Sequence, residues 1–124
     1  MRFILFFVMC STAFGADITN IRTSRNSGKQ RVVVDINSDN EPAFYKRDSK
    51  NSITLTIEAR MDQAKEEQFK KLLANTNYIN SVSFINLSDE GEVIAEIRLS
   101  GKASNNIFAL SNPSRLVIDL DKIE

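Results

Sequence analysis

The 124-residue chain contains no histidine, no tryptophan and a single cysteine, with only four glycines and two prolines. Lacking histidine, it has no usual base for a serine or cysteine nucleophile, and a catalytic zinc would have to be held by carboxylates alone. The variants that use lysine instead would show a Ser-x-x-Lys run, and none stands beyond residue 15. Gly28, Gly91 and Gly101 are too scattered to cradle a phosphate and fit turns or strand ends. Sixteen cations balance sixteen anions with no basic block. Nucleic-acid binding, which draws on many clustered lysines and arginines, is therefore not expected.

The one long apolar run is short. Residues 3–9 follow a positive start at Arg2 and lead into Ser11-Thr12-Ala13-Phe14-Gly15-Ala16. Crossing a bilayer takes about 20 apolar residues, so this is the pattern of a secretory signal peptide, with cleavage expected before Ala16. The secreted chain, residues 16–124, would then be exported to the periplasm or cell envelope with no stable membrane span. Cys10 leaves with the signal, and Met9 before it does not suit a lipid-anchored cysteine. The secreted chain is nearly neutral and has no disulfide available, so packing must stabilise it. Its size suits one domain with one core.

What is present is β pattern. Strands are expected over 18–24, 30–37, 43–47, 52–59, 79–86, 92–100, 106–110 and 115–121, separated by polar turns, with Pro113 at the start of the last. Residues 18–36 lie over 79–97 without a gap, at a constant offset of 61, pairing Ile18 with Ile79, Val32 with Val93 and Ile36 with Ile97. Two equivalent halves are expected, about 16–60 and 78–124, with a helix over about 62–74 between them. Asp62 is its N-cap, Phe69, Leu72 and Leu73 form its apolar stripe, and its glutamates precede its lysines as the helix dipole favours. The fold class is therefore mainly β: a sandwich of two small pseudo-symmetric sheets with one short connecting helix.

Two strands share the pattern Arg-x-Val-x-Asp, at Arg31-Val32-Val33-Val34-Asp35 and Arg115-Leu116-Val117-Ile118-Asp119. Residues two apart share a face of a strand, so each has an aliphatic inner face and an outer face bearing one cation and one anion. Two readings follow. In one, Arg31 and Asp35, and Arg115 and Asp119, make cross-strand ion pairs on an exposed face, of little energetic weight. Alternatively the outer faces are polar platforms on which arginine donates to carboxylates or carbonyls and aspartate accepts from hydroxyls or amides, a set that a peptide-bearing glycan satisfies. Paired carboxylates could also hydrolyse a glycosidic bond. A chain this small and without tryptophan offers little for a sugar-distorting cleft, and Asp89, Glu90 and Glu92 belong to a turn, so no enzyme activity and no cofactor or metal is expected.

The opening Ile18-Thr19-Asn20-Ile21-Arg22, the strand Gln30-Arg31-Val32-Val33-Val34-Asp35-Ile36 and the closing Asn112-Pro113-Ser114-Arg115-Leu116-Val117-Ile118-Asp119-Leu120 resemble an AMIN domain. That is the non-catalytic module of exported N-acetylmuramoyl-L-alanine amidases and pilus secretins. The resemblance implies a sandwich of two symmetry-related sheets that binds peptidoglycan, with Arg31, Asp35, Arg115 and Asp119 as binding residues and Arg22 and Asn112 beside them. With no catalytic or secretin segment following residue 124, the expectation is that the module localises a partner in trans. An alternative is an accessory subunit that contacts an amidase or secretin directly without holding glycan.

Overall fold

The computed structural model describes residues 16–74, 77–100 and 103–122; the expected signal peptide lies outside them. The chain runs β1 (Asp17–Asn26), β2 (Lys29–Asn37), β3 (Phe44–Ser49), β4 (Ser52–Ile57), β5 (Arg60–Met61), α1 (Glu66–Ala74), β6 (Ile79–Leu87), β7 (Glu92–Leu99), β8 (Ala103–Leu110) and β9 (Arg115–Lys122). They form two sheets, one of five strands ordered β5-β1-β2-β9-β8 and one of four ordered β3-β4-β7-β6. The mainly β, two-sheet sandwich with one short helix is thus the architecture of the protein.

Alternation builds the core. Val32, Val34 and Ile36 of β2 and Leu116, Ile118 and Leu120 of β9 face inward against Ile53, Leu55 and Ile57 of β4 and Val93, Ala95, Ile97 and Leu99 of β7. These four central strands supply the middle of a continuous buried cluster, which the hydrophobic effect stabilises in proportion to the apolar area removed from water. Helix α1 packs on β6 and β1, the strands that flank one side of the sandwich, and buries Phe69 and Leu73 there. Leu72, expected in the same stripe, is instead exposed. Asp62 caps the 3₁₀ turn Gln63–Lys65 that leads into α1, accepting a 3.0 Å hydrogen bond from the Ala64 amide. On the opposite side Lys46 Nζ donates to Asn105 Oδ1 at 3.0 Å, and Asn105 Nδ2 donates to Asp48 Oδ1 at 3.1 Å. These bonds tie β3 of one sheet to β8 of the other.

The two halves exchange hairpins. Each sheet joins the first hairpin of one half to the second hairpin of the other, β1-β2 with β9-β8 and β6-β7 with β4-β3. Matching irregularities support the equivalence, since β1 bulges between Ile18 and Asn20 and β6 between Ile79 and Ser81. The ungapped overlay, however, fails beyond the first strand of each half. Ile18 pairs with Ile36, whereas Ile79 pairs with Leu99, so Ile36 corresponds to Leu99 and not to Ile97. The cause is turn chemistry. β1 and β2 are joined by Ser27-Gly28, both at positive φ as a tight hairpin turn demands, whereas β6 and β7 are joined by the longer turn Ser88–Glu90 closed by Gly91 at φ 75°. The shift spans two residues, so every side chain keeps its face and the aliphatic pattern hid the insertion.

Three further details differ from the sequence reading. β8 begins at Ala103 rather than at 106, because Ala103, Ile107 and Ala109 all pack on the core. The two-residue strand β5, too short to carry a periodic signal, adds in parallel to β1, and Arg60 Nε pairs with Asp17 at 3.1 Å. Pro113 lies in the turn before β9, where the next residue, Ser114, is buried and donates its hydroxyl to the carbonyls of Ser38 and Asn40 at 3.0 and 2.7 Å.

Candidate functional site

Both Arg-x-Val-x-Asp strands lie in the same sheet. β2 and β9 are antiparallel neighbours at the centre of the five-stranded sheet, so their outer residues form one surface rather than one on each sheet. Register places these residues in four rows that run across β1, β2, β9 and β8. The rows are Asn20, Asp35, Arg115 and Leu110, then Arg22, Val33, Val117 and Phe108, then Ser24, Arg31, Asp119 and Asn106, with Asn26, Lys29, Asp121 and Ser104 at the end. Strand spacing and rise make this face about 15 Å across the strands and about 20 Å along them.

The second row is an apolar strip. Val117 is only 2% exposed although it points away from the inter-sheet core. Its neighbours directly across the strands, Val33 and Phe108, are half-buried, so the face carries a small cover of its own. The stems of Arg22, Arg31 and Arg115 come from the same row or the rows beside it, where long side chains can lay their methylenes on apolar ground.

Cross-strand ion pairs border the strip. Arg31 makes a bidentate pair with Asp119, at 2.7 and 2.9 Å, because antiparallel register sets them opposite each other. Arg22 makes a second bidentate pair with Asp35, at 2.8 and 2.9 Å, reaching diagonally from β1. Neither within-motif pair forms, since residues four apart on one strand are too distant for close contact. Lys29 and Asp121 approach to 3.9 Å at the far end. Hydrogen bonding and charge from Asp119 and Asp35 push the guanidinium pKa values of Arg31 and Arg22 further up, while the Arg31 bond holds the Asp119 carboxyl below its usual range. Asp119 is therefore a fixed acceptor at neutral pH and a poor proton donor.

Arg115 differs from the other two arginines. It sits opposite Asp35, which Arg22 already engages, and it donates from Nη1 to the Pro113 carbonyl at 2.7 Å. Among the described residues no carboxylate stands within ion-pair distance of it. Asn112 is exposed in the adjoining turn at φ 60°, a left-handed conformation that asparagine tolerates. The structure thus brings Arg22, Arg31, Asp35, Arg115 and Asp119 onto one face and leaves Asn112 at its rim. Sequence reasoning missed Phe108, Asn106 and Leu110, although their alternation in the β8 segment was the available signal.

The pseudo-equivalent face of the four-stranded sheet has other chemistry. Arg31, Val33 and Asp35 correspond there to Ile94, Glu96 and Arg98, and Arg115, Val117 and Asp119 to Ser52, Thr54 and Thr56. One row across it, Tyr45, Thr56, Ile94 and Ile85, is markedly apolar, with Tyr45 64% and Ile85 51% exposed. Among the described residues no three acidic side chains converge as a metal site, and no helix is long and apolar enough to cross a membrane. Comparison with known proteins returns no matching family model and no match among curated proteins.

Proposed function

We propose that the protein is a non-catalytic binding module of the cell envelope, exported by its leader, whose five-stranded sheet holds peptidoglycan on its outer face and localises a partner there. One observation carries this reading: an apolar strip ending in Phe108 is bordered by fixed acceptors, by two immobilised guanidinium groups and by Arg115, which among the described residues has no carboxylate partner. The apolar face of a sugar ring lies against such a strip as it does against aromatic side chains, while hydroxyl and acetamido groups meet Asp119, Asn106 and the arginines. Among the described residues four cations against three anions leave the face with one surplus positive charge, and Arg115 is the group free to take a peptide carboxylate. The likeness to AMIN domains in the strands that build this face supports the same reading.

Co-sedimentation with isolated sacculi tests it. The secreted form should pellet with sacculi, and Arg31→Ala combined with Arg115→Ala should release it. Equal sedimentation of wild type and double variant removes this face from the account.

The exposed Tyr45, Ile94 and Ile85 row favours a second reading, in which the four-stranded sheet docks an envelope amidase or secretin-type protein. Capture from a periplasmic extract should then return a stoichiometric partner that Tyr45→Ser with Ile85→Ser loses, whether or not sacculi bind.

A further inference from the structure

The two sheets have four edges, and three of them are covered or charged. β5 pairs with Asp17 and Ile18 of β1, whose remaining length carries Arg22 and Arg25 and is flanked by α1; α1 also packs on β6, and β3 carries Lys46, Arg47 and Asp48. Such devices deter the pairing of an edge strand with another chain. The fourth edge, β8, has none of them. Its eight residues, Ala-Ser-Asn-Asn-Ile-Phe-Ala-Leu, include no charge and no proline, and among the described residues no strand pairs with its free side. Alternate backbone N–H and C=O groups along that side point outward as an open template.

We propose that β8 is a self-docking edge, through which two copies of this chain pair antiparallel about a two-fold axis at Asn106, merging their five-stranded sheets into one. The composition of the strand selects a second copy as the occupant. In this register Asn106 faces Asn106 of the second copy, and a carboxamide, being both donor and acceptor, is complementary to itself across a two-fold axis. Ser104 faces Phe108 of the second copy and leaves room for its ring, and on the inner side Ala103 faces Ala109. No pair within the two β8 strands brings like charges together. The same operation on β3 would set either Lys46 or Arg47 against itself, which like-charge repulsion disfavours. Asn105, held from the other sheet by Lys46 and Asp48, keeps β8 in place before pairing, which lowers the ordering cost of association. The merged sheet carries two copies of the Phe108 strip on one continuous face. A repetitive ligand would meet both at once and gain by avidity. The pairing itself does not depend on what that face binds.

Sedimentation-velocity centrifugation of the secreted form, residues 16–124, which contains every described element from β1 to β9, tests the proposal over a wide concentration series. Wild type should pass from monomer to dimer as concentration rises, and Asn106→Lys, which opposes two ammonium groups at the axis, should stay monomeric with an unchanged circular dichroism spectrum. Hydrogen exchange of wild type supplies a measurement that needs no variant: the amides of β8 should slow with concentration while those of β3 do not. A wild type that remains monomeric throughout overturns the proposal and leaves the edge to a foreign strand. A dimer that survives Asn106→Lys, or one whose β8 amides exchange at a concentration-independent rate, places the contact elsewhere and overturns it equally.

Discussion

Val117→Ala probes the cover on the outer face of the five-stranded sheet. The substitution deletes two methyl groups from a side chain that is 2% exposed, and at about 0.8 kcal/mol for each buried carbon the transfer loss is about 1.6 kcal/mol. Val32→Ala is the matched control, because Val32 is equally buried but lies between the two sheets. There the surrounding layers cannot collapse onto the space, and the residual cavity adds on the order of 1 kcal/mol. Above Val117 the neighbours are Phe108 and long arginine stems, which can settle into the gap. Urea unfolding should therefore give losses of about 1.6 kcal/mol for Val117→Ala and about 2.5 kcal/mol for Val32→Ala, with unchanged denaturant dependence. A loss below about 0.5 kcal/mol at Val117, the range of ordinary surface changes, would refute the claim that this face carries its own apolar strip. A loss at Val117 matching that at Val32 would refute the claim that its cover is soft.

Other outcomes follow from single contacts. Asp119 is held below its usual carboxyl range by Arg31, so its contribution to stability is complete above the unfolded value of about 3.9 and fades as pH falls through the lower folded value. Asp119→Asn should thus lower the urea midpoint at pH 6, and its deficit relative to wild type should shrink in acid below about pH 4; a constant deficit would contradict the pairing. Ser114→Ala strands two carbonyls in the turn before β9 and should cost about 1–2 kcal/mol in the same assay, with Ser114→Thr closer to wild type if the hydroxyl is the reason. Phe69→Ala removes the chief anchor of α1 and should cost about 3–5 kcal/mol, with early loss of helix protection in native-state hydrogen exchange.

Much of the fold was legible because period-2 alternation marks a half-buried strand without reference to its partners. Strands β2 and β9 show this most clearly: every second residue from Val32 to Ile36 and from Leu116 to Leu120 is aliphatic and buried. Partner choice was not legible. Nothing in the spacing of Arg31 and Asp35 says that the two motif strands lie side by side; that adjacency pairs Arg31 with Asp119, and the neighbouring β1 brings Arg22 to Asp35. The two-residue insertion in the Ser88 turn escaped for a different reason, since an even shift leaves the inside and outside of β7 unchanged. Phe108 escaped because both faces of β8 carry an asparagine and large apolar residues, Asn105 and Ile107 on one and Asn106, Phe108 and Leu110 on the other, so the alternation does not say which face is buried until β9 fixes its register. The candidate face was therefore half visible: its charges could be named from the chain, and its apolar floor and its surplus arginine required the sheet order.

Peptidoglycan binding by this face is tested most directly by titrating isotopically labelled protein with soluble muropeptides and following backbone amide resonances. Shifts should concentrate at Val33, Phe108, Arg115, Val117 and Asp119 on the five-stranded sheet and saturate with ligand. Shifts confined to Tyr45, Ile85 and Ile94 on the other sheet, or no shifts at any ligand concentration, would contradict it.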